Sequence, residues 1–154
     1  MKFRMVDRIC DWAPRRTIRG LKAVSFEEYS WGRIFEGEPV LPASLMIEAL
    51  FQLGNWLVML STDFQRMGLI LRIGSIRLPG RVRPGQVLDM RVDVRSWRPD
   101  GVLFDGRATV EGAEAIAGEG CLATPVVLAD YCDGDDLRVL FSEIHRPSDA
   151  EAAP

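Results

Sequence analysis

One carboxylate stands alone in the most apolar stretch of the chain. From Ala43 to Thr62, ASLMIEALFQLGNWLVMLST, Glu48 is the only charged residue in twenty. An unpaired charge in such surroundings is costly unless it is neutralised or hydrogen-bonded. A glutamate here is therefore expected either to do acid–base work or to serve as a satisfied hydrogen-bond partner at a subunit seam. Gln52 follows one helical turn later, spaced to orient the Glu48 carboxylate or a water, or equally to tie the helix to a strand. The single histidine, His145, lies in a polar C-terminal region, which argues against an intramolecular Ser/His or Cys/His pair. Cys10, Cys121 and Cys132 form no CxxC pair, and no signal-peptide pattern precedes them. They read as reduced thiols of a cytoplasmic protein, with neither structural zinc nor a disulfide framework expected.

The elements that must hold Glu48 follow from hydropathy. The apolar stretch reads as one helix with Pro42 at its first position, where a missing N–H is harmless. Twenty residues span roughly 30 Å at about 1.5 Å per residue. That length would also cross a membrane, but Ser44, Gln52, Asn55, Ser61 and Thr62 are polar and the flanks lack clustered positive charge, so a buried helix is expected and no membrane partner. Strands supply the wrapping. Val87 to Val94 alternates cleanly, as does Val102 to Val110, and Pro99-Asp100-Gly101 between them is a hairpin signal. Further strands are predicted at Thr17 to Val24, Leu69 to Leu78 and Ala115 to Pro125. The expected architecture is α+β, a curved antiparallel sheet of five or six strands wrapped around one long helix. Such a sheet covers one side of the helix, so a second copy is expected on the other and the chain is predicted to be a dimer. At 154 residues it fits one domain, residues 1–130, followed by an acidic tail, 131–154, partly helical and then mobile.

Charge is polarised. Residues 1–99 carry a net +6 and residues 100–154 a net −9. Between Arg72 and Arg98, seven arginines face only Asp89 and Asp93 in sequence. No basic run is interleaved with aromatics, so nucleic acid is not an expected partner.

The segment from Trp31 to Gly54, WGRIFEGEPVLPASLMIEALFQLG, resembles the signature of the β-hydroxyacyl-acyl-carrier-protein dehydratases of the hot-dog fold. That pattern runs G-H-F-x-G-x-P-V-M-P-G, then a helix with an acidic residue and A-x-x-Q. The matching positions are Phe35, Gly37, Pro39, Val40, Pro42, Glu48, Ala49, Leu50 and Gln52. Val6-Asp7-Arg8-Ile9, the stretch from Ile18 to Val24 and Arg83-Pro84-Gly85-Gln86 extend the likeness over about residues 3 to 127. Two positions depart from the pattern. The family's histidine, fourteen residues before the acid, falls on Ile34, and the glycine after M-P is Ala43.

The resemblance implies a hot-dog fold and a site that handles acyl thioesters. It assigns Glu48 and Gln52 to the chemistry with Ile34 in the vacant histidine position, and Phe35, Gly37, Pro39, Val40, Leu41, Pro42 and Ala43 to the substrate. Gly37 and Pro39 read equally as turn formers. Leu41, with Leu45, Met46, Leu50 and Phe51, could line an acyl tunnel or simply be core. Dehydration needs a base for the C2 proton and an acid for the departing hydroxyl, and the family is thought to give the first role to the imidazole. A homodimer of this chain is thus expected to be nearly inactive as a dehydratase. Three roles stay open: a non-autonomous, pseudoenzyme-like subunit lending Glu48 to a histidine-bearing partner in a heterodimer, a thioesterase in which Glu48 activates water, and a silent acyl-thioester binder. No cofactor is implied beyond the phosphopantetheine of an acyl carrier protein, or coenzyme A, carrying the substrate. Arg72, Arg77, Arg81 and Arg83 are the expected docking rim for an acidic carrier protein.

Overall fold

A computed structural model describes residues 3–26 and 39–147. Its elements in chain order are β1 (Arg8–Ala13), β2 (Thr17–Ala23), α1 (Ala43–Ser61), β3 (Arg66–Arg72), β4 (Ser75–Arg77), β5 (Val87–Arg98), β6 (Gly101–Val110), β7 (Ala113–Val127) and α2 (Gly134–Ile144), with a single 3-10 turn, Leu128–Asp130, before α2. The seven strands form one antiparallel sheet in the order β1-β2-β5-β6-β7-β3, with β4 also paired to β7. Seven replaces the expected five or six.

Two additions account for the difference. β1 was not expected from hydropathy, because a register shift between Ile9 and Asp11 breaks its alternation. The predicted strand from Leu69 to Leu78 is two strands, divided at Gly74. A Cβ on Gly74 would lie 2.6 Å from the Glu119 carbonyl oxygen, so only glycine lets this turn pass over β7. β5 and β6 have the expected faces: Leu88, Met90 and Val92 are buried on one, and Val102, Phe104, Ala108 and Val110 on the other.

The buried faces close on α1. Met46, Ala49, Leu50, Leu53, Gly54, Leu57 and Val58 are all sealed from solvent. Gly20 of β2 brings sheet and helix together, since a Cβ there would lie 2.7 Å from the Arg8 carbonyl oxygen and 2.8 Å from Leu53 Cδ1. Pro42 caps the helix rather than opening it, with its carbonyl accepting from the Leu45 and Met46 amides; Ala43 is the first helical residue.

The outer face of the sheet is a ladder of opposite charges. Arg19 pairs with Asp89, Arg91 with Asp93 and Arg95 with Asp105. Burial works to raise the Asp93 carboxyl, but hydrogen bonds from Arg91 and Thr17 outweigh it and hold it below the usual carboxylate value. A carboxyl depressed in the folded state adds stability above the unfolded pKa of about 3.9 and loses it as pH falls through the folded value. Asp93→Asn is therefore expected to flatten the fall of melting temperature below about pH 4, which thermal scans across a pH series would measure.

Candidate functional site

Glu48, Gln52, Asn55, Trp56 and Met59 follow one helical stripe of α1, beside the β3 edge of the sheet. These residues floor a groove of about 330 Å³, within the size range of small-molecule sites. Phe3, Arg4 and Val6 form one bank, Met67 of β3 another, and Cys132 with Leu137 and Leu140 of α2 complete the lining. The groove is thus polar at Glu48 and Gln52 and mainly apolar beyond Asn55.

Glu48 is half-buried, neither sealed in the core nor out in bulk solvent. Its Oε1 accepts from Gln52 Nε2 at 2.8 Å. The same amide nitrogen donates to the Phe3 carbonyl at 3.3 Å, and Gln52 Oε1 accepts from the Met5 amide at 2.8 Å. Gln52 thereby binds the carboxylate and also ties the helix to the N-terminal segment. Asn55 Oδ1 accepts from the Gly68 amide at 2.8 Å, fixing β3 as the opposite bank. The lining beyond Gln52 was not singled out from sequence. Asn55 and Met59 had a signal, the stripe that begins at Glu48, whereas Met67, Cys132, Leu137 and Leu140 reach the groove only through tertiary packing.

The other sequence-derived positions divide. Ile34, Phe35 and Gly37 lie outside the described residues. Pro39 and Val40 are half-buried, and Ala43 is exposed at the start of α1, where first-turn N–H groups have no intrahelical acceptor. Leu41 takes the second of its two readings in this structure: it is core, 3% exposed, and its amide donates to the Val82 carbonyl at 2.7 Å. Met46 and Leu50 are core as well. They face the sheet, on the opposite side of α1 from the Glu48 stripe.

Arg72, Arg77, Arg81 and Arg83 are all exposed. Arg77 lies 3.7 Å from both Glu114 and Glu119, and the Arg83 amide donates to Gln86 Oε1. Arg72 and Arg77 line two different clefts, neither of which contains Glu48. The excess of positive charge seen in the linear sequence is partly offset by acids that β6 and β7 bring alongside. His145 follows α2, stacked on Phe141 at 4.8 Å, and is not among the residues lining the groove.

The thiols differ in a way that chemistry can read. Burial raises Cys10 and Cys121, the latter to about 11 with Asp105 adding to the effect, while Cys132 is exposed at the groove. Native protein is expected to release one rapid equivalent with a thiol reagent near pH 8, and three after denaturation. Two or more rapid equivalents would contradict this burial pattern.

Comparison with known proteins places these features in a family. The FabA-like domain model matches residues 1–119. The 3-hydroxyacyl-[acyl-carrier-protein] dehydratase FabZ of Caulobacter sp. (strain K31) is 35% identical over 128 residues, covering 81% of this chain and 77% of that protein. Its counterpart from Cereibacter sphaeroides (strain KD131 / KCTC 12085) is 33% identical over 120 residues, covering 76% and 77%. Among solved structures, the fluoroacetyl-CoA thioesterase FlK superposes with a TM-score of 0.65 at 12% identity, covering 84% of this chain and 97% of FlK. The smu.793 protein of Streptococcus mutans UA159, bound to acetyl CoA, gives 0.62 at 11% identity, covering 78% and 88%. The two structural likenesses show the hot-dog fold, and the FabA-like domain match together with the FabZ relatives makes this chain a member of the FabA/FabZ family of hot-dog dehydratases.

Proposed function

We propose that this chain is a non-autonomous subunit of a 3-hydroxyacyl-thioester dehydratase of fatty-acid or polyketide-type metabolism, lending Glu48 to a site completed by a histidine-bearing partner. One observation carries the reading: a Glu48–Gln52 groove is present, while isoleucine occupies the position fourteen residues before Glu48. The substrate in this reading rides on the phosphopantetheine of an acyl carrier protein, or on coenzyme A. The FabZ relatives are 3-hydroxyacyl-[acyl-carrier-protein] dehydratases, which supports an acyl-carrier-protein substrate.

The partner's imidazole takes the C2 proton, and the C–H electron pair becomes the C2=C3 double bond. The C3–O bond breaks, and the hydroxyl leaves as water with a proton from the Glu48 carboxyl. Negative charge that gathers on the thioester oxygen meets the free first-turn N–H groups of α1, at the positive end of the helix dipole. Ala43 in place of glycine keeps its N–H and adds only a methyl group.

A partner strand on β3 suits this assignment. β3 ends the sheet among the described residues, and Leu71 and Ile73 beside its edge are 64% and 40% exposed. An apolar unpaired edge invites pairing, and a subunit docked there adjoins Met67 and hence the groove. Exposed Arg72, Arg81 and Arg83 offer charge to an acidic carrier. Free thiols suit a cytoplasmic setting.

A thioesterase is the second reading, favoured by a groove that holds a carboxylate with no imidazole in its described lining. The test is co-expression with a histidine-bearing dehydratase homologue, followed by co-purification and assay with a 3-hydroxyacyl and a plain acyl thioester. The expected result is a heterodimer that forms enoyl product and loses about 10²- to 10⁴-fold in rate with Glu48→Gln in this chain. Thiol release by the chain alone supports the thioesterase instead. No complex and no turnover leaves a silent binder.

A further inference from the structure

We infer that α2 is the end wall of the acyl site and that Leu137 and Leu140 set the longest acyl chain the groove accepts. The inference rests on the reading of Glu48 as the reacting end of that site and adds the substrate class. α2 begins at Gly134, beyond the family match, which ends at residue 119. Yet Leu137 and Leu140, three residues apart on one helical face, line the groove that holds Glu48.

The wall is fastened at both ends. Asp133 caps α2 by accepting from the Asp135 amide. Arg138 donates to the Asp63 carboxylate at 2.7 Å and to the Asp63 carbonyl at 2.8 Å, which anchors the helix just past the C-terminal end of α1. Phe141 packs against Trp12 and Trp56. Beyond the helix, the Arg146 amide donates to the Ile9 carbonyl, and Arg8 donates to the carbonyls of Arg146 and Pro147. α2 therefore spans from the end of α1 to the β1 edge as a fixed bar across the open side of the central helix.

Its position sets a length. From Glu48 to Met59 the stripe advances about 16 Å at about 1.5 Å per residue. An extended chain covers roughly 3.5 Å per three bonds, so a thioester seated at Glu48 leaves room for about a dozen bonds before the α2 leucines. Trp56, Met59, Leu137 and Leu140 offer that stretch no polar side-chain partner except the indole N–H of Trp56. That stretch suits a saturated, medium-length aliphatic chain.

The test measures binding of acyl-pantetheine amides, from butanoyl to hexadecanoyl, to the purified chain by calorimetry, with protection of Cys132 from alkylation as an independent readout. Wild-type affinity should rise about fourfold per methylene and stop near twelve carbons, at roughly the length given by the extended-chain spacing. The double variant Leu137→Ala, Leu140→Ala should move that stopping point to longer chains by at least two carbons, and Leu140→Trp should move it to shorter ones. Circular dichroism establishes that each variant is folded. Binding with the same ceiling in all three proteins would overturn the wall and leave the acyl site standing. Binding of no chain by the wild type, as when a second copy fills the groove, would overturn both.

Discussion

Ile34→His is expected to turn the purified chain, without any partner, into a dehydratase. If Glu48 retains the acid role of its family, the missing component is the base that takes the C2 proton. A positioned acid–base group contributes about 10² to 10⁴ in rate, and this is the gain expected in enoyl formation from a 3-hydroxyacyl thioester. Two controls make the result specific. Ile34→Ala should gain nothing, and Ile34→His combined with Glu48→Gln should lose what the histidine gave. The gain should also follow the titration of an imidazole, rising through about pH 6.5 as the base form accumulates. A folded Ile34→His protein with no enoyl product would refute the acid assignment of Glu48, or the equivalence of position 34 with the family histidine, and would favour the thioesterase or the silent binder.

The second large effect concerns the helix that carries the site. Leu53 is fully buried and packs where Gly20 brings β2 against α1. Leu53→Ala is expected to cost about 2–5 kcal/mol, the transfer term plus a cavity that a sheet on one side and a rigid helix on the other cannot close. For a domain of this size that corresponds to a fall of roughly 4–20 °C in melting temperature, readable by thermal or urea unfolding. Leu45→Ala, at a partly buried position on the same helix, should cost clearly less. Equal costs at the two sites would mean that contact with the sheet is not what holds α1 in place.

How far the sequence disclosed this arrangement depends on the range of the interactions involved. α1 was legible to within one residue because an apolar run of that length has few alternatives, and β5 and β6 were legible because each alternates without interruption. β1 was hidden by the irregularity at Ile9 and Asp11. The division between β3 and β4 depends on a contact between Gly74 and Glu119, forty-five positions apart, which no local pattern encodes. The site shows the same split. Glu48 and Gln52 stand out because charge and amide are rare in such a helix, and the stripe they begin could have been followed to Asn55 and Met59 but was not. The contribution of α2 was not readable, since an acidic, amphipathic C-terminal segment gives no sign of what it packs against. The arginine excess was overstated because Asp105, Glu114 and Glu119 meet Arg95 and Arg77 only after the strands pair.

Gln52 makes the two oxygens of Glu48 unequal before any substrate arrives. Its own carbonyl oxygen is taken by the Met5 amide, so the amide cannot rotate end for end, and its nitrogen must point at Oε1. An oxygen that accepts from an N–H is a poor seat for a proton. In the proposed dehydratase, Oε2 would therefore be the oxygen that carries and delivers the hydrogen, and the segment ahead of β1, through the Met5 amide, would select that side of the carboxyl.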